Sequence, residues 1–185
     1  MTNPAERLVD LLDLEQIEVN IFRGLSPHES LQRVFGGQVA GQALVAAART
    51  TDGERPVHSL HAYFLRPGRP GVPIVYQVER VRDGRSFTTR RVTAVQQGRT
   101  IFNLTASFHR PEVGAFEHQL PPFRDVPHPE SLPTLAEEIR KHLGELPEQL
   151  ERMARRQPFD IRYVDRLRWH PEEIAGAEPR SAVWM

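Results

Sequence analysis

The chain has 185 residues, a length suited to one domain or to one domain and part of another. Its 24 basic and 24 acidic side chains give a formal net charge of zero, which argues against nucleic acid or an anionic membrane surface as a partner. There is no cysteine, which excludes disulfides, thiolate nucleophiles and cysteine-based metal sites, and no apolar run reaches the length of a membrane span.

The N-terminal segment predicts a short helix followed by a strand. Residues 1–13 are charged throughout and lack the apolar core of a signal peptide, so the protein is expected to stay in the cytoplasm. Asn3 is suited to cap a helix over Pro4–Leu14, because its side chain can accept a backbone N–H. Alternating apolar and polar residues over Ile17–Ile21 predict one strand with one buried face, which is broken by Gly24.

An alanine-rich stretch follows and predicts the central element of the fold. Residues Val39–Arg49 are apolar nearly all round, whereas a helix on the surface would carry a polar stripe. We therefore expect a helix that is buried on most sides, with small side chains that allow other backbone to approach closely. The loop over residues 34–38 leads into it.

Four strand-like runs come next along the chain. They are Val57–Leu65, Ile74–Arg82, Ser86–Gln96 and Thr100–His109. The Asp83-Gly84 pair between the second and third runs is a strong hairpin signal, and Gln97-Gly98 marks the next turn. Together these runs predict an α+β fold in which a long, curved antiparallel sheet wraps round the apolar helix.

The sequence changes character after residue 110. Prolines crowd residues 111–133, which are typical of a linker. Helices are predicted over Leu135–Leu143 and Glu148–Arg155, and strands over Phe159–Val164 and Ala182–Met185. An apolar C-terminal strand suggests that a second domain begins here and is not completed.

The Gly36-Gly37-Gln38 motif lies where the loop enters the buried helix. Glycines let a ligand approach the backbone, and the free N–H groups of a helix N-terminus can polarise a carbonyl or hold a phosphate. On spacing alone, the favoured alternative is that the glycines only permit a tight turn against the sheet. Gln38 and Gln42 share one helix face, and amides satisfied by other protein groups are the favoured interpretation.

Histidine and arginine provide the remaining candidates for chemistry. His58 and His61 are an odd number of residues apart in one strand, so we expect them on opposite faces, one exposed and one partly buried, with no metal site. No serine, histidine and acid constellation and no Gly-x-Ser-x-Gly motif indicates a hydrolase triad. Several arginines near the meander and its turns suit either a solvated sheet face or the phosphates of a ligand: Arg66, Arg82, Arg85, Arg90 and Arg91.

Four segments, in this order, resemble the acyl-CoA thioesterase II (TesB-like) family. They are Arg33–Leu44 (RVFGGQVAGQAL), His58–Gly68 (HSLHAYFLRPG), Arg82–Val92 (RDGRSFTTRRV) and Ile101–Phe108 (IFNLTASF). The resemblance implies the hot-dog fold and the hydrolysis of fatty acyl-CoA to free fatty acid and coenzyme A, without a metal or cofactor. It also implies an acyl-CoA substrate for this chain.

Members of this family carry two hot-dog domains in one polypeptide, and this chain is shorter. The resemblance implies a first hot dog over residues 1–112, a proline-rich and helical linker over 113–157, and the opening strands of an incomplete second hot dog over 158–185. The family's catalytic Asp, Ser or Thr, and Gln belong to the second hot dog and would lie beyond Met185. No catalytic residue is therefore expected in the chain, which has the pattern of a truncated product.

The expected substrate-binding residues combine the glycine motif with the arginines at strand ends. They are Gly37, Gln38, Arg66, Arg85 and Ser86. The N–H groups at the glycine motif would favour an anion or a polarised carbonyl, and the arginines would meet the phosphates of coenzyme A. The structural alternative is that Gly37 only keeps the helix close to the sheet and that Arg66 pairs with a neighbouring carboxylate. A non-catalytic role as an acyl-CoA-binding or scaffold half is the alternative. A hot-dog dehydratase is less favoured, because no histidine lies between residues 33 and 49.

Assembly is predicted from the edges of the sheet. A single hot dog leaves an edge open to pairing with another chain. We therefore expect a homo-oligomer.

Overall fold

The computed structural model describes residues 3–27, 32–114, 116–120, 125–144, 148, 158–165 and 181–185. The chain forms two compact units. One comprises Leu8–Phe116, and the other comprises Met1–Arg7 together with Glu117–Met185. None of the described helices is both long enough and apolar enough to cross a lipid bilayer.

The N-terminal helix is confirmed, whereas the prediction of one strand after it is wrong. Helix α1 spans Pro4–Leu12, and Asn3 Oδ1 accepts a hydrogen bond from the Ala5 N–H at 3.0 Å, as expected for a cap. The following segment turns back on itself and forms two antiparallel strands, β1 (Glu15–Glu18) and β2 (Ile21–Gly24). Because β1 lies at the sheet edge, its apolar side chain Ile17 remains 52% exposed.

The alanine-rich segment forms helix α2, Gly36–Ala48, at the centre of the first unit. Three of its alanines have no solvent exposure: Ala43, Ala46 and Ala47. Methyl side chains let the helix axis approach the sheet more closely than leucine would. Leu44 is only partly buried, so the helix is enclosed on most sides rather than on all, as predicted.

Four long strands complete the sheet, and each differs from its predicted bounds by one residue at one end. They are β3 (Val57–Phe64), β4 (Ile74–Asp83), β5 (Phe87–Gln96) and β6 (Arg99–His109). All pairings are antiparallel, and the strand order is β1-β2-β4-β5-β6-β3. The predicted antiparallel sheet round a central helix is confirmed.

Alternation along the strands decides which side chains meet the helix. On β6, Phe102, Leu104, Ala106 and Phe108 are buried, as the sequence pattern predicts. On β5 the buried side chains include Val92 and Ala94. These two strands pack against α2.

One inward-facing position of β5 is occupied by an arginine. Arg90 is 1% exposed, and its guanidinium donates to both the hydroxyl and the carbonyl of Thr50, at 2.8 and 3.0 Å. It also donates to Asp83 Oδ1 at 2.5 Å and to the Arg82 and Thr89 carbonyls. Thr50 follows the C-terminus of α2, so Arg90 ties the end of the helix to the sheet.

The second unit contains short elements. A 3₁₀ turn spans Pro129–Ser131, and helix α3 spans Leu135–Leu143, as predicted. A capping box between Thr134 and Glu137 starts α3. The predicted C-terminal strands are present but shorter, as β7 (Arg162–Tyr163) paired antiparallel with β8 (Val183–Trp184). The helix predicted over 148–155 lies almost entirely outside the described residues.

Replacement of the buried guanidinium should loosen the end of α2 from the sheet. We expect Arg90→Met to lower the free energy of unfolding by about 2–3 kcal/mol, because three buried or part-buried carbonyls lose their donor. Arg91→Met is the matched control. Arg91 is exposed and pairs with the exposed Glu79, so its loss should cost no more than about 0.5 kcal/mol. Urea unfolding of both variants checks this, and equal losses would contradict it.

Candidate functional site

A groove opens beside the N-terminus of α2, with a volume of about 620 Å³. Its walls come from the loop before α2, from the end of β3 and the loop after it, and from β6. Apolar side chains dominate the lining, and Phe35 and Phe64 remain 74% and 64% exposed. Large exposed aromatic rings beside a groove are typical of a surface that receives an apolar ligand.

The two glycines of the motif are explained by these rings. A Cβ on Gly36 would lie 2.9 Å from the Phe64 ring, and one on Gly37 would lie 2.4 Å from the Phe35 ring. The glycines therefore let both rings lie directly over the first turn of α2. They are needed for close approach rather than for a left-handed backbone, since neither has a positive φ.

Among the described residues, no side chain caps the first amides of α2. The N-cap residue is Phe35, whose side chain has no hydrogen-bond acceptor, whereas serine, threonine, aspartate and asparagine are preferred there. The Phe35 carbonyl accepts from Gln38 N at 3.1 Å, and the first two N–H groups, of Gly36 and Gly37, lie at the positions that no helical carbonyl can reach.

The electrostatic environment of the groove is positive. The N-terminus of α2 contributes the positive end of the helix dipole, and Arg33 and Arg66 line the groove. None of the described residues that line it is acidic. An oxygen that carries partial or full negative charge would be stabilised there.

Gln38 and Gln42 share one face of α2, as predicted, and play different parts. Gln42 is buried, its Nε2 donates to the carbonyls of Leu11 and Leu25, and its Oε1 accepts from the Tyr76 hydroxyl at 2.7 Å. Gln42 is thus a satisfied structural amide. Gln38 is half-buried, and its Nε2 donates to the Leu25 carbonyl at 3.0 Å, so its side chain is not part of the groove lining.

The predicted binding residues fall into two groups. Gly37, Gln38 and Arg66 lie at the groove end of the sheet, where Arg66 Nη1 donates to the Thr100 carbonyl. At the opposite end of the sheet lie Arg85 and Ser86, and the Ser86 carbonyl accepts from Arg110 N. Thr100 and Arg110 are ten positions apart along an extended chain, which corresponds to roughly 30 Å. One phosphate cannot therefore contact both Arg66 and Arg85.

Two members of the arginine cluster are committed to protein contacts. Arg90 is the buried tie to α2 and is not available to a ligand. Arg91 pairs with Glu79 at 3.0 Å on the outer face of the sheet, as expected for a solvated face. Neighbouring positions on β5 thus point to opposite faces and have different roles.

The expectation that His58 and His61 lie on opposite faces is wrong, and both are exposed. A β-bulge between Val57 and Ser59 shifts the register, so the parity of the spacing no longer decides the face. His58 Nε2 lies 2.9 Å from Ser107 Oγ on the outer face of β6. In the described part of the chain no cluster of three histidine or acidic side chains is arranged to hold a metal.

Sequence reasoning missed the aromatic walls of the groove. The sequence places Phe35 in the predicted loop over residues 34–38 and Phe64 in the predicted strand over Val57–Leu65, and it assigns neither ring to a binding site. A phenylalanine immediately before two glycines at a helix start is unusual for an N-cap, and that exception was the available signal. The approach of Phe64 depends on the position of β3, which local sequence does not specify.

Comparison with known proteins identifies the fold and the family resemblance. Residues 26–109 match the family model of the acyl-CoA thioesterase N-terminal domain. Acyl-CoA thioesterase 2 of Haemophilus influenzae is 44% identical over 165 residues, which cover 88% of this chain and 56% of that protein. Human acyl-coenzyme A thioesterase 8 is 38% identical, over 95% of this chain and 56% of its own length.

Solved structures agree with these relatives. Acyl-CoA thioesterase II TesB2 of Mycobacterium marinum is 42% identical with a TM-score of 0.69, over 96% of this chain and 59% of that one. A protein of unknown function with a hot-dog fold from Alicyclobacillus acidocaldarius is 22% identical with a TM-score of 0.68, over 86% of this chain and 55% of that one. The predicted hot-dog fold and the predicted family resemblance are confirmed. The chain spans about half the length of the curated relatives it matches.

The buried pair of Tyr76 and Gln42 generates a prediction about alkaline stability. Burial raises the pKa of Tyr76 above its ordinary value of 10.0, so the folded protein keeps this phenol neutral. The resulting stabilisation is fully present below pH ~10 and is lost as the pH rises further, because only the unfolded chain then ionises Tyr76.

We expect Tyr76→Phe to cost about 1–2 kcal/mol near neutral pH, because Gln42 Oε1 loses its donor. The difference between the two proteins should shrink at pH about 11, since the variant lacks the titrating phenol. Urea unfolding of both proteins at pH about 8 and about 11 measures it. A difference that grows with pH would contradict the assignment.

Proposed function

We propose that this chain, whose residues 26–109 carry an acyl-CoA thioesterase N-terminal domain, binds fatty acyl-CoA and serves its hydrolysis to free fatty acid and coenzyme A. The observation that carries the proposal is the groove at the start of α2. There, exposed aromatic rings stand beside uncapped amides in a positive environment.

In the proposed arrangement the groove holds the acyl part and the helix polarises the carbonyl. The acyl chain lies against Phe35 and Phe64, whose burial by a ligand is favourable. The thioester oxygen accepts hydrogen bonds from the amides of Gly36 and Gly37, with Gln38 beside them. Negative charge that develops on this oxygen during attack by water is stabilised by these donors and by the helix dipole.

Activation of the attacking water requires a base or an orienting side chain. Among the described residues that line the groove, none is a carboxylate or a histidine. We therefore assign substrate binding and carbonyl polarisation to this chain, and expect its own turnover of acyl-CoA to be slow. Arg66 is proposed to meet the polar part of the ligand at the groove mouth.

Arg85 and Ser86 are proposed as a separate contact with the phosphates of coenzyme A. Both lie at the far end of the sheet, where Arg85 is exposed and Ser86 is half-buried. Because this end is roughly 30 Å from Arg66, the two contacts would belong to different parts of the ligand or to ligands on different copies of the chain.

The alternative is a non-catalytic half that binds acyl-CoA or acts as a scaffold. A dehydratase remains the least favoured option. Release of free thiol from palmitoyl-CoA distinguishes a role in hydrolysis from the non-catalytic role. Slow, saturable release supports a role in hydrolysis, and binding without release supports the non-catalytic half. We also propose a first hot dog over residues 1–112, a linker over 113–157, the opening strands of a second hot dog over 158–185, and a cytoplasmic location.

A methyl group at Gly37 should displace the Phe35 ring and obstruct the uncapped amides. We expect Gly37→Ala to weaken binding of palmitoyl-CoA by on the order of tenfold, the loss of about one good hydrogen bond. The melting temperature should hold or rise, because alanine favours helix over glycine.

Gly41→Ala is the matched control, one turn further along α2, where the added Cβ would lie 3.2 Å from Leu12 Cδ2 and away from the groove. Calorimetric titration with palmitoyl-CoA, beside a melting curve for each variant, gives the comparison. If the two variants bind equally well, the proposed role of the amides is wrong.

The homo-oligomer is proposed to form through the open edge of β3. Within the described part of the chain β3 pairs with β6 alone, and it carries exposed apolar side chains that include Leu60, at 49% exposure, and Tyr63. A second copy of the chain would pair with its free backbone groups and cover these side chains.

We expect the native chain to elute as a dimer or larger species and Leu60→Lys to shift it toward the monomer. The control is Ile17→Lys on β1, the opposite edge, where a charge should leave the assembly unchanged. Light scattering during gel filtration measures the mass. A native monomer, or dissociation by the control alone, would contradict pairing through β3.

A further inference from the structure

A second cleft lies at the opposite end of α2 from the groove. It has a volume of about 430 Å³ and opens between the residues that follow α2 and the β4–β5 hairpin. Four arginines line it, Arg49, Arg55, Arg80 and Arg90, together with Asp52 and Asp83. The cleft therefore contains more cationic than anionic side chains, and the proposed thioester chemistry does not use it.

Two of these arginines stand directly opposite each other on the inner face of the sheet. Arg80 on β4 is the register partner of Arg90 on β5. Like charges directly opposite each other destabilise a sheet unless another group compensates them. Asp83 compensates Arg90 at 2.5 Å, whereas the hydrogen-bond partner of Arg80 is the neutral amide oxygen of Asn20, at 2.9 Å. The charge of Arg80 has no carboxylate partner among the described residues.

Arg55 also lines this cleft, and one of its N–H donors has no acceptor among the described residues. Its Nη1 pairs with Asp52, and its Nη2 donates to the carbonyls of Gly84 and Arg85. The Nε atom is buried and has no partner in the described part of the chain. A buried, unpaired donor on a charged group costs free energy, and an acceptor from a ligand or a water would satisfy it.

The features that oppose an anion here are largely neutralised. The C-terminal end of a helix repels negative charge, but the Thr50 carbonyl beyond α2 is covered by Arg90, and Arg49 pairs with Asp13. The carboxylates of Asp52 and Asp83 are each bound by an arginine. Because Arg90 is held by five acceptor contacts, the cleft wall is preorganised and does not have to be ordered on binding.

We propose that this cleft binds a phosphoryl group, through the guanidinium of Arg80 and the Nε–H of Arg55. A phosphoryl group supplies both the negative charge that the Arg80–Arg90 pair lacks and the acceptor oxygen that Arg55 lacks. Free inorganic phosphate and the phosphates of coenzyme A carry the same chemistry. The site lies apart from the groove, so its test needs neither the hydrolysis of a thioester nor a filled groove.

The test compares the native chain with Arg80→Gln in calorimetric titrations with inorganic phosphate and, separately, with coenzyme A. Arg80→Gln should weaken phosphate binding by about tenfold, the loss expected for one charge-assisted contact. Added salt should weaken the native interaction more than it weakens that of the variant. Arg91→Gln is the matched control, since it removes the same charge from the outer face of the same pair of strands.

Arg55→Lys provides a second variant, which keeps the positive charge and removes the Nε–H, and it should also weaken phosphate binding while Arg91→Gln does not. Coenzyme A that binds with the same dependence on Arg80, and competes with phosphate, identifies its phosphates as a ligand of the cleft. Phosphate that binds in this way while coenzyme A does not identifies free phosphate as the ligand. The proposal is overturned if phosphate does not bind to the native chain, or if folded Arg80→Gln and Arg91→Gln bind it equally.

Discussion

The structure depends on enclosing a helix within a single curved sheet. That helix must be thin, and each of its buried polar groups must have a hydrogen-bond partner. Ala43, Ala46 and Ala47 make it thin enough to lie against β5 and β6 without solvent exposure. Enclosure then removes water from its polar groups, so every such group needs a protein partner. Gln42 and Tyr76 meet that requirement in the middle of α2, and Arg90 meets it at the end.

Secondary structure could be predicted from local sequence wherever a single pattern of residues determines it. The strands of the meander follow from alternation and from the Asp-Gly and Gln-Gly turns, and the second of these has positive φ at both Gln97 and Gly98, as a tight hairpin requires. Prediction failed where an irregularity interrupts the pattern. The turn between β1 and β2 has no glycine or proline, and the bulge at His58 adds one residue without any mark in the sequence.

The candidate site was predictable only in its local part. Gly37 and Gln38 are adjacent at a helix start, so their proximity needs no tertiary information. Arg66 and Arg85 each stand beside a turn of the same meander, and only the strand register places them at opposite ends of the sheet. The partners of Arg80 and Arg90 likewise depend on which residues face each other across β4 and β5.

The two ends of α2 present anion-attracting surfaces for different physical reasons. At its start the attraction comes from the backbone, because Phe35 cannot cap the first amides and the glycines leave them accessible. At its end the helix backbone would repel an anion, and the arginine side chains of the cleft oppose that field, one of which, Arg90, also covers the Thr50 carbonyl beyond the helix. A backbone site has a fixed position and little charge, which suits a polarised carbonyl. An arginine site has full charge in a forked geometry, which suits a phosphoryl group. The length of α2 therefore separates the proposed carbonyl-binding site at its start from the proposed phosphoryl-binding cleft at its end.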